Sequence, residues 1–95
     1  MTGSTRSSEG LDTRRRRLLF RSWHRGMREM DLIMGRFADV HIAQLSDAEL
    51  DAFEQLMEMP DPDLLAWMTG ASAVPAANDT TMFRRLCDFH LRTEK

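Results

Sequence analysis

The chain is expected to be all-α, a compact bundle of five short helices. Apolar residues recur at spacings of three and four, the pattern of helices that bury one face. Helix-type caps and stops separate the apolar stretches: Asp12, Ser46, Asp61, Gly70 and Asn78. No run alternates as a half-buried strand would, and there is no internal repeat or sustained heptad.

The first helix is expected from Asp12 or Thr13, either a good N-cap, to about Trp23. Leu18, Leu19 and Trp23, with Phe20 beside them, place most of its apolar residues on one face against a face of arginines. The second runs from about Met27 to Val40, with Met27, Met30, Ile33, Met34 and Phe37 as its stripe. Gly35 interrupts that stripe at a propensity cost of about 1 kcal/mol relative to alanine, which marks a close helix crossing. The third helix has the clearest start. Ser46 and Glu49 form a capping box, and Leu45 with Leu50 a hydrophobic staple. Leu50, Phe53, Leu56 and Met57 make its core face, and Pro60 ends it. Asp61 is then read as the cap of the fourth helix, with Pro62 at its first position. Leu64, Leu65 and Met68 face inward, and Gly70 stops it. After a small-residue loop around Pro75, the fifth helix is expected from about Asn78, carrying Met82, Phe83, Leu86 and Leu91. The organisation is a disordered tail over 1–11, a helical bundle over 12–92 and a short tail over 93–95.

Ninety-five residues, 42% of them hydrophobic, make one small domain with little room for a buried active site. Eight methionines and no tyrosine point mostly to core filler on helices. A single cysteine, Cys87, allows no internal disulfide. No apolar run is long enough to cross a membrane. The opening dozen residues, with Glu9 and Asp12, lack the apolar centre of a signal peptide. A cytoplasmic protein with no membrane insertion is the expectation. The charge is unevenly divided: the formal net of −2 hides a basic stretch up to Arg36 and an acidic remainder. Such asymmetry usually signals a binding face.

Arg14 to Arg17 could neutralise phosphates, which keeps open a helix-turn-helix nucleic-acid-binding or antitoxin module as the alternative function. A pI of about 5.9 and a second helix that mixes Arg28 and Arg36 with Glu29, Asp31 and Asp39 weigh against it. A partner-facing or solvated basic helix fits better. His24, His41 and His90 have no metal-ligand spacing, and no metal site is expected. Cys87 reads as packing, because nothing around it and His90 suggests an oxyanion hole or an orienting third group. Trp67 reads as core before partner anchor.

The most informative stretch is Arg25-Gly26-Met27-Arg28-Glu29-Met30-Asp31, between the first two helices. Gly26 lets backbone come close, Arg25 is a planar donor fork, and Glu29 sits where a helix dipole favours an anion. This is a contact surface, not a catalytic apparatus. Its R-G-x-x-E pattern resembles the signature of the FAD assembly factors of succinate dehydrogenase, the SdhE family. The likeness extends through Arg16-Arg17-Leu18-Leu19-Phe20-Arg21-Ser22, Leu45-Ser46-Asp47-Ala48-Glu49 and Asp61-Pro62-Asp63-Leu64-Leu65-Ala66-Trp67, over roughly 14–92. The resemblance implies the same helical fold and a chaperone, not an enzyme. Such a protein binds the flavoprotein subunit of succinate dehydrogenase, and often of fumarate reductase, and promotes covalent attachment of FAD to it. The FAD is then the client's, with none bound stably by this chain, no nucleic acid is involved, and the free protein is a monomer. Arg17, Arg25, Gly26, Arg28, Glu29 and Asp31 are the expected partner-binding residues. Arg25 or Arg28 would help stabilise negative charge developing on the flavin.

Overall fold

The computed structural model describes residues 9–93. Five α-helices follow one another: α1 Thr13–Trp23, α2 Arg28–His41, α3 Asp47–Met57, α4 Asp61–Thr69 and α5 Thr81–Thr93, with a 3-10 turn at Ala76–Asn78 before the last. No strand occurs among the described residues. The all-α bundle expected from the sequence is the fold.

Most boundaries follow local chemistry. The Asp12 carboxylate accepts the Arg15 N–H at 2.8 Å and caps α1. At α3 the capping box is complete: Ser46 Oγ accepts the Glu49 N–H, and Glu49 Oε1 accepts the Ser46 N–H. Leu45 and Leu50 are both buried, as the staple requires. Gly70 closes α4 in the left-handed conformation, φ 81°.

Three local expectations change. Asp61 does not cap α4; it is the first helical residue, Pro60 occupies the cap without a side-chain bond, and Pro62 falls one place later. The Asp61 carboxylate is turned instead to Arg25. α5 begins at Thr81, because the Asn78 N–H bonds back to the Pro75 carbonyl in the 3-10 turn and Thr80 Oγ1 accepts the Phe83 N–H. Leu91 is 64% exposed. It lies five residues beyond Leu86, about 140° around the helix from the buried stripe.

α1 packs along α2, and α5 lies against α2 and α3. Between them sit Leu18, Met30, Met34, Phe37, Phe53, Leu64 and Leu86, all essentially inaccessible to water. Leu11 also belongs to this core, so packing begins one residue before the expected bundle boundary. Of the rest of the expected disordered segment, Glu9 and Gly10 form an exposed turn and residues 1–8 lie outside the described residues, as do 94 and 95 of the expected C-terminal tail. Gly35 marks the close crossing expected of it. A Cβ there would fall inside the Trp23 indole, whose Nε1–H donates to Asp39 Oδ1 at 3.1 Å. Trp67 is half-buried and meets the Phe83 ring edge-on at 6.2 Å.

Candidate functional site: the corner between α1 and α2

α1 ends at His24, whose backbone N–H reaches the Arg21 carbonyl. His24 Nδ1 lies 2.7 Å from the Phe20 carbonyl. A carbonyl only accepts, so Nδ1 carries the proton and satisfies one of the carbonyls that a helix end leaves open. The chain then turns through Gly26 at φ 100°, a conformation L-side chains rarely adopt. Met27, the N-cap of α2, offers no side-chain bond. Asp31 takes over from the next turn: its Oδ1 accepts the backbone N–H of Arg25 at 2.5 Å and closes the corner across the α2 N-terminus.

The Arg25 side chain points inward. Its Nε donates to Asp61 Oδ1 at 2.8 Å, and its two terminal nitrogens donate to the Met57 carbonyl at 2.5 Å and the Met59 carbonyl at 2.8 Å. The ion pair is nearly buried, with side chains 9% and 10% exposed for Arg25 and Asp61. One guanidinium thus ties the α1–α2 corner to the turn between α3 and α4. Its planar fork serves three acceptors that an ammonium could not reach together. Gly26, Arg28 and Glu29 are exposed, and neither Arg28 nor Glu29 forms an ion pair among the described residues. The corner therefore separates an inner set, Arg25 and Asp31, from an outer set, Gly26, Arg28 and Glu29. Arg17 stands on the exposed face of α1, about two turns before the corner.

The uneven charge is largely settled inside the molecule. Arg14 donates to Asp51 and Glu54 of α3 at 2.5 and 2.7 Å, which holds its pKa above the ordinary arginine value. Arg15 pairs with Asp12 and donates to the Ile42 and Leu45 carbonyls. Arg21 reaches Glu58 at 3.1 Å. Half of the Arg14–Arg17 run is thereby engaged within the chain, and the nucleic-acid alternative finds no support.

No group of histidine, cysteine and carboxylate side chains that could hold a metal occurs among the described residues. Cys87 is half-buried against the core, and burial followed by the Asp79 charge pushes its thiol pKa up, the opposite of an activated nucleophile. No described helix is long and apolar enough to cross a membrane. Sequence reasoning missed Asp61 as the partner of Arg25. It also missed the stacking of Phe20 on His24, with ring centroids 3.9 Å apart.

The described residues thus form a small all-α bundle whose α1–α2 corner is pinned by a buried ion pair. Residues 16–90 match the family described as flavinator of succinate dehydrogenase, and the chain belongs to that family. It is 38% identical over 82 residues to the FAD assembly factor SdhE of Acetobacter pasteurianus, covering 86% of this chain and 75% of that one. It is 42% identical over 64 residues to the mitochondrial succinate dehydrogenase assembly factor 2 of Meyerozyma guilliermondii, covering 67% of this chain and 47% of that protein. For the mitochondrial relative of Dictyostelium discoideum the identity is 32%, over 88% of this chain and 59% of the relative. The chain thus spans three quarters of the bacterial relative and under two thirds of these mitochondrial ones. No solved structure matches it.

Proposed function

We propose that this protein is an assembly factor that binds the flavoprotein subunit of succinate dehydrogenase and promotes covalent attachment of FAD to it. Membership of the flavinator family over nearly the whole bundle carries this reading. The relatives named as assembly factors support a role without turnover of its own. FAD and the residue it is joined to then belong to the client. The flavoprotein of fumarate reductase is a second client, the free protein is a monomer, and it works in the cytoplasm.

The corner supplies a mechanism. Gly26, Arg28 and Glu29, with Arg17 beside them, meet the immature flavoprotein, while Arg25 and Asp31 fix the shape in which they are offered. A rigid partner that holds the flavin-binding and neighbouring client domains in one orientation lowers the barrier to bond formation without adding a chemical group. Arg28, at a variable position inside the motif and exposed, would stabilise negative charge developing on the flavin, directly or through client residues.

The deciding experiment is deletion of the gene in its own host, with denaturing gels of the membrane fraction scanned for flavin fluorescence. The expected result is loss of the fluorescent flavoprotein band and its return with a plasmid copy. An undiminished band in the deletion strain overturns the assignment.

A further inference from the structure

The exposed face of α1 carries a second charged surface, which shares only Arg17 with the contact set of the corner. Thr13, Arg16, Phe20 and His24 follow one another at spacings of three and four, Arg17 lies three residues before Phe20 on the same side, and all five are exposed. The face runs for about 16 Å and leads into the corner at His24. Its neighbours on the helix are committed elsewhere: Arg14 and Arg21 to α3, Arg15 to Asp12 and two carbonyls. Arg16 and Arg17 form no ion pair among the described residues, and no carboxylate lies on α1. Phe20 is 63% exposed. Its ring is not loose, because it lies 17° from parallel to the His24 imidazole. A preordered aromatic flanked by two open cations is a surface that loses little side-chain freedom on being covered.

We propose that this face docks an acidic segment of the flavoprotein client, one that sets carboxylates against Arg16 and Arg17 and an apolar side chain against Phe20. The proposal rests on the assembly-factor reading and assigns it a second contact beside the corner. Charge complementarity selects the occupant. The face carries only cations, whereas the chain as a whole is net −2. Two open arginines neutralise too few phosphates to hold duplex DNA against that net charge. They are also too few to hold the protein on an anionic bilayer, where a polybasic cluster is needed. An acidic protein segment needs no more than two cations and one anchor to be held in register.

The test uses the full-length protein and the purified flavoprotein subunit of succinate dehydrogenase from the same host. Affinity is measured at low and at moderate salt for the wild type, Arg16→Glu/Arg17→Glu, Phe20→Ser and the control Arg92→Glu on α5. The double charge reversal should weaken binding by about tenfold or more and remove most of its salt dependence. Phe20→Ser should weaken it by about tenfold at both salts. Arg92→Glu should bind as the wild type does. Phe20→p-benzoylphenylalanine should cross-link to the client on irradiation, a readout independent of any loss of affinity or fold.

Unchanged affinity in both face variants, or equal weakening by Arg92→Glu, overturns the proposal. So does a photo-adduct that never forms while the complex does. If the wild type captures phosphatidylserine–phosphatidylcholine vesicles, and the double variant loses the vesicles but keeps the client, the face belongs to a membrane and the proposal falls. Failure of the assembly-factor reading is distinct: the wild type itself then binds no flavoprotein, and the docking proposal falls with it.

Discussion

Arg25 and Asp61, thirty-six residues apart, form an ion pair that is about nine-tenths buried, and the same guanidinium satisfies the Met57 and Met59 carbonyls. Removing one partner of such a pair leaves a charge without compensation and costs about 3–5 kcal/mol, a large share of a small domain's stability. Arg25→Ala and Asp61→Ala should each lower the urea midpoint substantially, and the double variant by much less than their sum. Urea titrations of all three, arranged as a double-mutant cycle, check this. Additive losses show that the pair is not a unit.

At Gly26 stability and contact can be separated. The positive φ strains any L-residue, but a Cβ there meets nothing within 4 Å. Gly26→Ala and Gly26→Arg should therefore lose the same stability, about 1–2 kcal/mol. Only the arginine should also abolish client binding, through bulk and charge on the outer face. Calorimetric melting and pull-down on both variants make the comparison. Equal binding by the two places the contact elsewhere.

Glu29 lies in the first turn of α2, exposed. Its dipole interaction is worth about 0.3–1 kcal/mol, so Glu29→Ala should move the urea midpoint only slightly. Covalent flavin in a strain carrying the variant as its sole copy should fall far more. A proportionate fall in both quantities makes Glu29 purely a helix-terminus charge.

Gly35→Ala tests the α1–α2 crossing. Helix propensity alone predicts a gain of about 1 kcal/mol. The new Cβ collides with the Trp23 ring, and overpacking of a core costs about 1–3 kcal/mol. A net loss of stability is expected, with a shift in tryptophan fluorescence as the indole is displaced. A net gain means that Trp23 has room to move aside.

His41 provides a pH dependence. It lies against Phe37 and Phe89, at ring distances of 4.6 and 5.4 Å, and its pKa is lowered by burial and then by the Arg85 charge. The unfolded chain binds this proton more readily than the folded one. The stabilising contribution is therefore fully present above the unfolded value near 6.5 and is lost as pH falls through the folded value. The wild type should lose stability on acidification below about pH 6.5, and His41→Gln should lose less. Urea midpoints between neutral and mildly acidic pH check the slope.

The sequence carried the signals that act over a few residues. Ser46 and Glu49 announce α3 because both halves of their capping box lie within one turn. Gly35 stands out because glycine in a helical stripe needs a packing reason, and Trp23 is that reason. Asp61 was misread for the same cause: an acid before Pro62 has a good local use as a cap, and nothing nearby reveals that Arg25 claims it. Asn78 is a good cap residue and sets the expected start of α5, but it is taken up by the 3-10 turn, and Thr80 Oγ1 accepts the Phe83 N–H instead. The charge asymmetry was read as an outward face, yet α1 and α3 spend much of it on each other. The signal was available, since Arg14 and Arg21 are two turns apart and match Asp51, Glu54 and Glu58 on the facing helix. Of the candidate site, the residue types were legible. Their division into an inner and an outer set was not, because it depends on where one long side chain points.

The side-chain acceptors of Arg25 lie at positions 57, 59 and 61, far outside the five residues of the motif it belongs to. A synthetic peptide spanning only α1 and α2 would contain every letter of R-G-x-x-E and still lack what holds its shape. Such a peptide is a poor mimic, or competitor, of the intact protein. A harmful substitution at Asp61 would escape any survey of variants confined to the motif. The set of residues that holds this corner is discontinuous in the gene and continuous only in the folded chain.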